Sequence, residues 1–172
     1  MRLLFVVLLS FINTANAQKI DLLFLDAAIA KLQNSKEYTL KVANGMPEEK
    51  YGFKPVPDEM SFGEQLLHIA SNLNWLSSTY VNGSKSPVTK EATKVQKKED
   101  IVEVLNKTYD YAIGALKSFE ASRLADTVSF FAGPKTKLQI INLISDHQTH
   151  HRGQLLVYLR LNGVQPPDYV GW

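Results

Sequence analysis

The segment DHQTHHRGQ, Asp146 to Gln154, holds three of the four histidines of a 172-residue chain. Only His68 lies elsewhere. Imidazole is a common ligand for divalent transition metals and a proton carrier near neutral pH. The cluster sits inside an apolar run, with Leu138, Ile140, Ile141, Leu143 and Ile144 before it and Leu155 to Leu159 after it. A stripe drawn from Ile140 through Ile144 continues at steps of three or four to His147, His151, Leu155 and Tyr158 or Leu159. Residues at i and i+4 share one helix face, about 6 Å apart along the axis. The spacing therefore gives His147 and His151 core-facing places from which two nitrogens can aim at one metal ion. His147 and His150, at i and i+3, are also neighbours, and spacing does not separate the two pairs. The plainer alternative is a buried pair satisfied by carboxylates or carbonyls, in which each ring needs partners for both nitrogens.

A third ligand would have to come from another helix, and His68 is the remaining histidine. Helical angles place it on the flank of its own helix's apolar stripe. Read by itself, such a residue is more often an ordinary, partly exposed histidine. Other chemistries lack their residues. Gln148 follows His147, so the H-E-x-x-H motif and its general base are absent. There is no G-x-S-x-G nucleophile elbow, and no glycine loop to cradle a nucleotide cofactor's phosphates. The chain has no cysteine, which removes thiol nucleophiles and thiolate ligands.

Four helical segments would position these residues. The first spans about Asp21 to Asn44, with Leu22, Leu25, Ala28 or Ile29, Leu32, Tyr38 and Val42 on one side and Gly45 and Pro47 as stops. The second opens on Ser61 and Glu64, which form a capping box. It carries Phe62, Leu66, Ile69, Leu73, Leu76 and Tyr80 at helical spacing until Asn82-Gly83. The third covers about Glu99 to Phe119, with Ile101, Leu105, Tyr109, Ala112 and Leu116 inward and Glu99 and Asp100 at the positive end of its dipole. The fourth runs from about Thr136 to Asn162, ended by Gly163 and Pro166-Pro167. The result is an all-α, four-helix bundle. The links from Met46 to Met60 and from Val81 to Lys98 exceed the roughly 2–8 residues usual in bundles. They can carry the chain the full height of the molecule, so helices adjacent in sequence need not be antiparallel. SKSPVTKEATKVQKK reads as a solvated Lys-rich loop, and DTVSFFAG as a short extended segment before the fourth helix.

At its start, MRLLFVVLLSFINTANAQ has one basic residue, an apolar run from Leu3 to Ile12 and the small-residue box Ala15-Asn16-Ala17. That is the pattern of a secretory leader cut after Ala17, and Gln18 in place of Cys speaks against lipid anchoring. The apolar run is far short of the roughly 20 residues that span a bilayer, and no later segment is apolar enough for a stable membrane span. Removing 17 of 172 residues leaves 155, one domain at 18–172 with length for a full core. The formal charge of +2 falls to +1 without Arg2. So weak a field, with no basic stripe, does not suit a nucleic-acid binder. A homodimer is compatible with this reading.

HQTHHRGQLLVYLRLNGVQPPDY, MSFGEQLLHIASNLNWL and the preceding YGFKPVPDEMS resemble the DinB family of bacterial four-helix bundles, also called DinB/YfiT-like metalloenzymes, over nearly all of the mature chain. The resemblance implies a three-histidine site for a divalent ion, zinc, nickel or another. One family ligand lies on the second helix after the Met-Ser start, where this chain has His68. The others are the first histidine of H-x-x-x-H and the one directly before Arg-Gly-Gln, here His147 and His151. His150 is then a neighbour. The implied activity is a hydrolase, or a thiol S-transferase using bacillithiol, mycothiol or glutathione, on an unknown small-molecule substrate. Those thiols are cytoplasmic, so in an exported chain the resemblance speaks for the metal site more than for the thiol. Glu64, one turn before His68, is a candidate to orient its ring, although the capping box is expected to occupy it. Arg152 and Gln154 are expected to tie helices together, and Gly153 to allow close helix approach. Trp75, Tyr158, Tyr169 and Trp172 read as core or rim packing, with the Pro166–Trp172 tail folded back on the bundle. The rival reading is a non-catalytic bundle in which the metal, or unmetallated histidines, serve stability or binding. It draws on the absence of an evident general base.

Overall fold

The computed structural model describes residues 2–83, 85, 86, 88, 89 and 97–172, with side chains from residue 18 onward. The reading of residues 1–17 as a leader thus falls where no side chain is described, and most of the Lys-rich loop lies outside the described residues. Helix α1 runs Arg2–Gly45, α2 Phe62–Leu76, α3 Lys98–Lys117 and α4 Lys137–Leu161. Two-residue strands β1 (Thr127–Val128) and β2 (Lys135–Thr136) pair antiparallel ahead of α4, which is the extended segment expected there. Among the described residues no helix is long and apolar enough to cross a membrane.

The local signals act as their chemistry requires. Ser61 accepts from the Glu64 backbone N–H while the Glu64 carboxylate accepts from the Ser61 N–H at 2.6 Å, a closed capping box. Thr136 and Gln139 make the equivalent box for α4. α2 does not stop at Leu76. It passes into a π-helical turn, Ser77–Asn82, before Gly83 takes the left-handed conformation (φ 65°) that ends it. α1 begins to pack at Leu25. Leu22, expected on its buried side, is exposed, because the partner helices do not extend that far.

Each of α1 and α2 packs against both α3 and α4. Helices adjacent in sequence at the two ends of the chain, α1 with α2 and α3 with α4, therefore sit across the diagonals. Cross-helix contacts give the directions. Ser35 meets Gln148 and Gly45 lies by Leu159, so α1 and α4 run the same way. Lys36 pairs with Asp110 while Lys98 reaches the Asn44 carbonyl, so α3 opposes α1. Tyr158 reaches the Met60 carbonyl and Lys137 that of Tyr80, so α2 opposes α4. The bundle is up-down-down-up. The parallel step from α2 to α3 is what the long link after Val81 accomplishes. Where these two helices start together, a Cβ on Gly63 would stand 3.2 Å from the Ile101 Cδ1 methyl, a contact that Ile101 would have to shift to accept.

The core is formed by Phe62, Leu66, Ile69 and Leu73 of α2, Ile101, Leu105 and Tyr109 of α3, and Ile140, Ile144, Leu155 and Leu159 of α4, against Leu32 and Val42 of α1. The chain after α4 turns back along α1. Tyr169 packs edge-on to Tyr38 and the Trp172 carbonyl accepts from Asn34 at 2.5 Å. The tail thus covers a side of the bundle as well as its end. Tyr158 is core, whereas Tyr169 and Trp172 are mostly exposed and pack at the rim.

Candidate metal centre

Because α2 and α4 are adjacent and antiparallel, His68 in the middle of α2 faces the middle of α4. It meets His147 and His151 there. The three imidazoles converge, with one nitrogen from each lying within 4.8 Å of the others. His68 Nε2 stands 3.1 Å from His147 Nε2. His151 is buried, His68 and His147 half-buried. His150 is exposed, with its ring edge-on to His151. Among the described residues no Asp or Glu belongs to the group. The inward stripe of α4 differs from the simplest helical count. Ile144, Gln148 and Arg152 point at the bundle axis, and His147 and His151 lie beside them on the α2 side.

Electrostatics keep the rings neutral. Burial, reinforced by the neighbouring imidazoles, pushes the His147 and His151 pKa down to about 4, and burial lowers that of His68. A neutral ring offers one lone pair, so its tautomer matters. For His151 the partner is Gln65, wholly buried on α2, whose Oε1 lies 2.6 Å from Nδ1. An amide oxygen only accepts, so Nδ1 carries the proton and Nε2 is bare. The Gln65 amide then donates to Gln154 Oε1, and Gln154 Nε2 donates to His150 Nε2 at 3.1 Å. A one-way chain of donors therefore runs from the buried ring to the surface. His150 is its last acceptor, which explains a histidine beside the cluster and outside it.

His147 is less complete. Its Nδ1 is buried without a hydrogen-bond partner, and its Nε2 faces another imidazole nitrogen. At 3.1 Å the two nitrogens share one hydrogen bond when either ring carries its proton on Nε2, and present two converging lone pairs when neither does. Nitrogens bound to zinc at about 2.0–2.1 Å stand roughly 3.3 Å apart in a tetrahedron, close to the observed 3.1 Å. Three converging neutral imidazoles, with no carboxylate in the group among the described residues, suit a divalent transition metal.

The surrounding residues divide sharply. Glu64 does not touch the cluster. Its carboxylate caps α2 and pairs with Lys54, and the Ser61 hydrogen bonds hold its pKa low. Arg152 is buried against α1, donating to Ser35 Oγ at 2.5 Å and Thr39 Oγ1 at 3.3 Å, with its guanidinium 4.9 Å from the Tyr38 ring centre. It ties helices together. Gly153 faces open space, so the expected close approach of helices there does not occur. Gln65 escaped the sequence reading. Its signal is a lone amide in the otherwise apolar face Phe62, Leu66, Ile69, three residues before a histidine.

Next to His68 opens a pocket of about 460 Å³, floored by Ser71, Asn72 and Trp75 of α2 and bordered by Ser78 and Thr89. Asn74 holds its rim by donating to the Val88 carbonyl at 3.0 Å and accepting from Ser86.

The DinB family model matches residues 22–171. An uncharacterized protein of Bacillus subtilis, YjoA, is 26% identical over 139 residues, covering 78% of this chain and 88% of that protein. A crystal structure of a DinB-like protein from Bacillus cereus superposes with a TM-score of 0.74 at 20% identity, over 84% of this chain and 97% of that one. The crystal structure of the DinB-like YjoA protein gives 0.69 at 19% identity, over 83% and 96%. These structural likenesses show a shared fold.

Proposed function

Since the chain belongs to the DinB family, we propose that it is an exported metal-dependent enzyme, of hydrolase or thiol S-transferase type, in which His68, His147 and His151 hold one divalent ion, zinc or nickel. The observation that carries this reading is the convergence of the three rings within 4.8 Å, with His151 oriented by Gln65 and His147 Nδ1 left without a partner. Export rests on the leader-like sequence of residues 1–17.

When bound, such an ion supplies Lewis-acid polarisation of a substrate oxygen or sulfur. The protein's own part is positioning. Gln65 holds His151 in the tautomer with Nε2 bare, and Gln154 holds Gln65. Arg152, Gln148 and Ser35 fix the rotation of α4 about its axis. Burial keeps the rings unprotonated, so they remain ligands rather than cations. The pocket beside His68 gives a small molecule room next to that ligand.

A non-catalytic role for the metal is favoured by one observation, that among the described residues no carboxylate joins the cluster to move a proton. Both readings share one experiment on protein purified without an affinity tag. The expected result is an intact mass beginning at Gln18, one transition-metal ion per chain, and its loss in H68A/H147A/H151A. Retention of stoichiometric metal by that triple variant overturns the site. A mass that includes residues 1–17 overturns export. Turnover of no hydrolysable or thiol-transfer substrate, with chelation lowering the melting temperature, selects the structural role.

A further inference from the structure

The dipeptide Asn-Gly occurs three times in the chain, at Asn44–Gly45, Asn82–Gly83 and Asn162–Gly163. Each pair lies at the end of a helix. An asparagine followed by glycine can react with its own backbone. The glycine nitrogen attacks the asparagine side-chain carbonyl carbon, and the missing Cβ leaves that nitrogen unhindered. The attack needs a carboxamide that can swing over its own peptide and a glycine N–H that can leave its hydrogen bond. Since the three pairs are the same dipeptide, the fold around each decides which of them reacts.

At two of the pairs both groups are held. The Asn44 carboxamide donates to the Leu40 carbonyl at 2.9 Å. Gly45 is still a residue of α1, lying where Leu159 and Val164 pack against it. The Asn162 carboxamide donates to the Tyr158 carbonyl at 2.9 Å, and the Gly163 N–H to the Arg160 carbonyl at 3.0 Å. Val164 then closes that turn onto the Leu159 carbonyl at 2.9 Å. Asn82 is different. It is exposed, and its carboxamide makes no hydrogen bond to another described residue. It is the last residue of the π-helical turn Ser77–Asn82, a rarer helix than α, and helix ends open first. Gly83 leaves the helix at φ 65°, and among the described residues a Cβ there would meet nothing within 4 Å. The peptide joining the two residues therefore has room to turn.

We propose that Asn82 is a site of spontaneous deamidation through a succinimide formed with Gly83. The Gly83 nitrogen bonds to Asn82 Cγ and gives up its proton. The carboxamide nitrogen leaves as ammonia, carrying its own two protons and that one. Water then opens the imide at either carbonyl, giving aspartate at one and isoaspartate at the other. One water is consumed, one ammonia is released, and nothing is oxidised or reduced. The effect falls on the end of α2's π-helical extension. A carboxylate appears where the last carbonyls already concentrate negative charge. One of these, on Tyr80, accepts from Lys137 Nζ at 2.9 Å and so joins this end to the start of α4. Isoaspartate also lengthens the backbone just before the left-handed turn at Gly83. His68 lies several turns back along α2, so the site is independent of the metal-centre reading.

The test holds the full chain in warm, mildly alkaline buffer, folded or unfolded in urea, and samples it over days. Peptide mapping by mass spectrometry follows the gain of about 1 Da at each of the three asparagines, and electron-transfer fragmentation separates isoaspartate from aspartate. In the folded chain Asn82 is expected to convert at least about ten-fold faster than Asn44 or Asn162, because the rate follows the population of locally open forms. In urea the three are expected to convert at similar rates. Asn82→Gln, whose longer side chain closes a larger and slower-forming ring, is expected to stay unmodified at this position. The aged protein is expected to melt below the fresh one, and aged Asn82→Gln to melt as it did when fresh. An intact Asn82 in the folded chain, with conversion in urea, overturns the proposal. So does conversion of all three at one rate in the folded chain. Aspartate without isoaspartate overturns the succinimide route. Conversion with an unchanged melting temperature overturns the effect on the helix end.

Discussion

At the scale of single residues, Gln65 decides which nitrogen of His151 is bare. It accepts from Nδ1 and is itself held by Gln154. Replacing it with leucine keeps the volume but removes the acceptor, so the ring is free to turn and the Nδ1 proton loses its partner. We expect Gln65→Leu to weaken zinc binding by about 10- to 100-fold, the usual effect of losing the group that orients a ligand. Competition with a chromogenic chelator measures it. Gln65→Glu accepts the same bond and is expected to retain most of the affinity. Equal loss in both variants would mean that Gln65 only packs. Helical period put His147 and His151 on one face but left His147 and His150 as an equal pair, and the resemblance chose between them. Gln65 was not legible. An amide within an apolar stripe acquires meaning only from the ring opposite, 86 residues away.

At the scale of elements, α2 carries the most. Its first turn is closed by the Ser61–Glu64 box. Gln65 and His68 follow within the next turn, and the pocket floor follows those. The capping box was read correctly because it depends on four consecutive residues and the free N–H groups of a helix end. Ser61→Ala is expected to cost about 1 kcal/mol of stability, read as a lower midpoint in urea unfolding with an unchanged slope. No change in midpoint would show that Glu64 caps the helix alone. The π-helical turn at Ser77–Asn82 was not legible. Its residues read as continuing helix, and the shift in hydrogen bonding comes where α2 packs against both α3 and α4.

At the scale of the whole molecule, three neutral imidazoles buried together make the metal-free protein sensitive to acid. His147 and His151 have folded-state pKa values lowered from 6.5 to about 4. Below pH 6.5 the unfolded chain takes up protons that the folded chain refuses until about pH 4. Stability is therefore fully present above pH 6.5 and is lost as pH falls through that window. In the presence of chelator, the melting temperature should fall steadily across it, with a slope corresponding to roughly one to two protons taken up on unfolding, given partial solvent screening. The same scan on His147→Gln/His151→Gln separates these groups from carboxylates. A slope unchanged in that variant would show that the histidines are not the source.

By itself the sequence determined the features that live within one helix: the four helical segments, the capping box of α2, the stops at Gly45, Gly83 and Gly163, and the shared face of His147 and His151, with His150 still its rival. These follow from backbone hydrogen bonding and a period of 3.6, which act over a few residues. The resemblance pointed to His68, but residue patterns alone left it an ordinary flank histidine. Only the tertiary structure brought that ring across to α4, turned Gln65 toward His151, left Gly153 facing open space, and opened a pocket beside His68. Those features depend on α2 and α4 lying adjacent and antiparallel in an up-down-down-up bundle. That arrangement is set by how all four apolar faces bury together, over separations of many tens of residues, and no local pattern contains it.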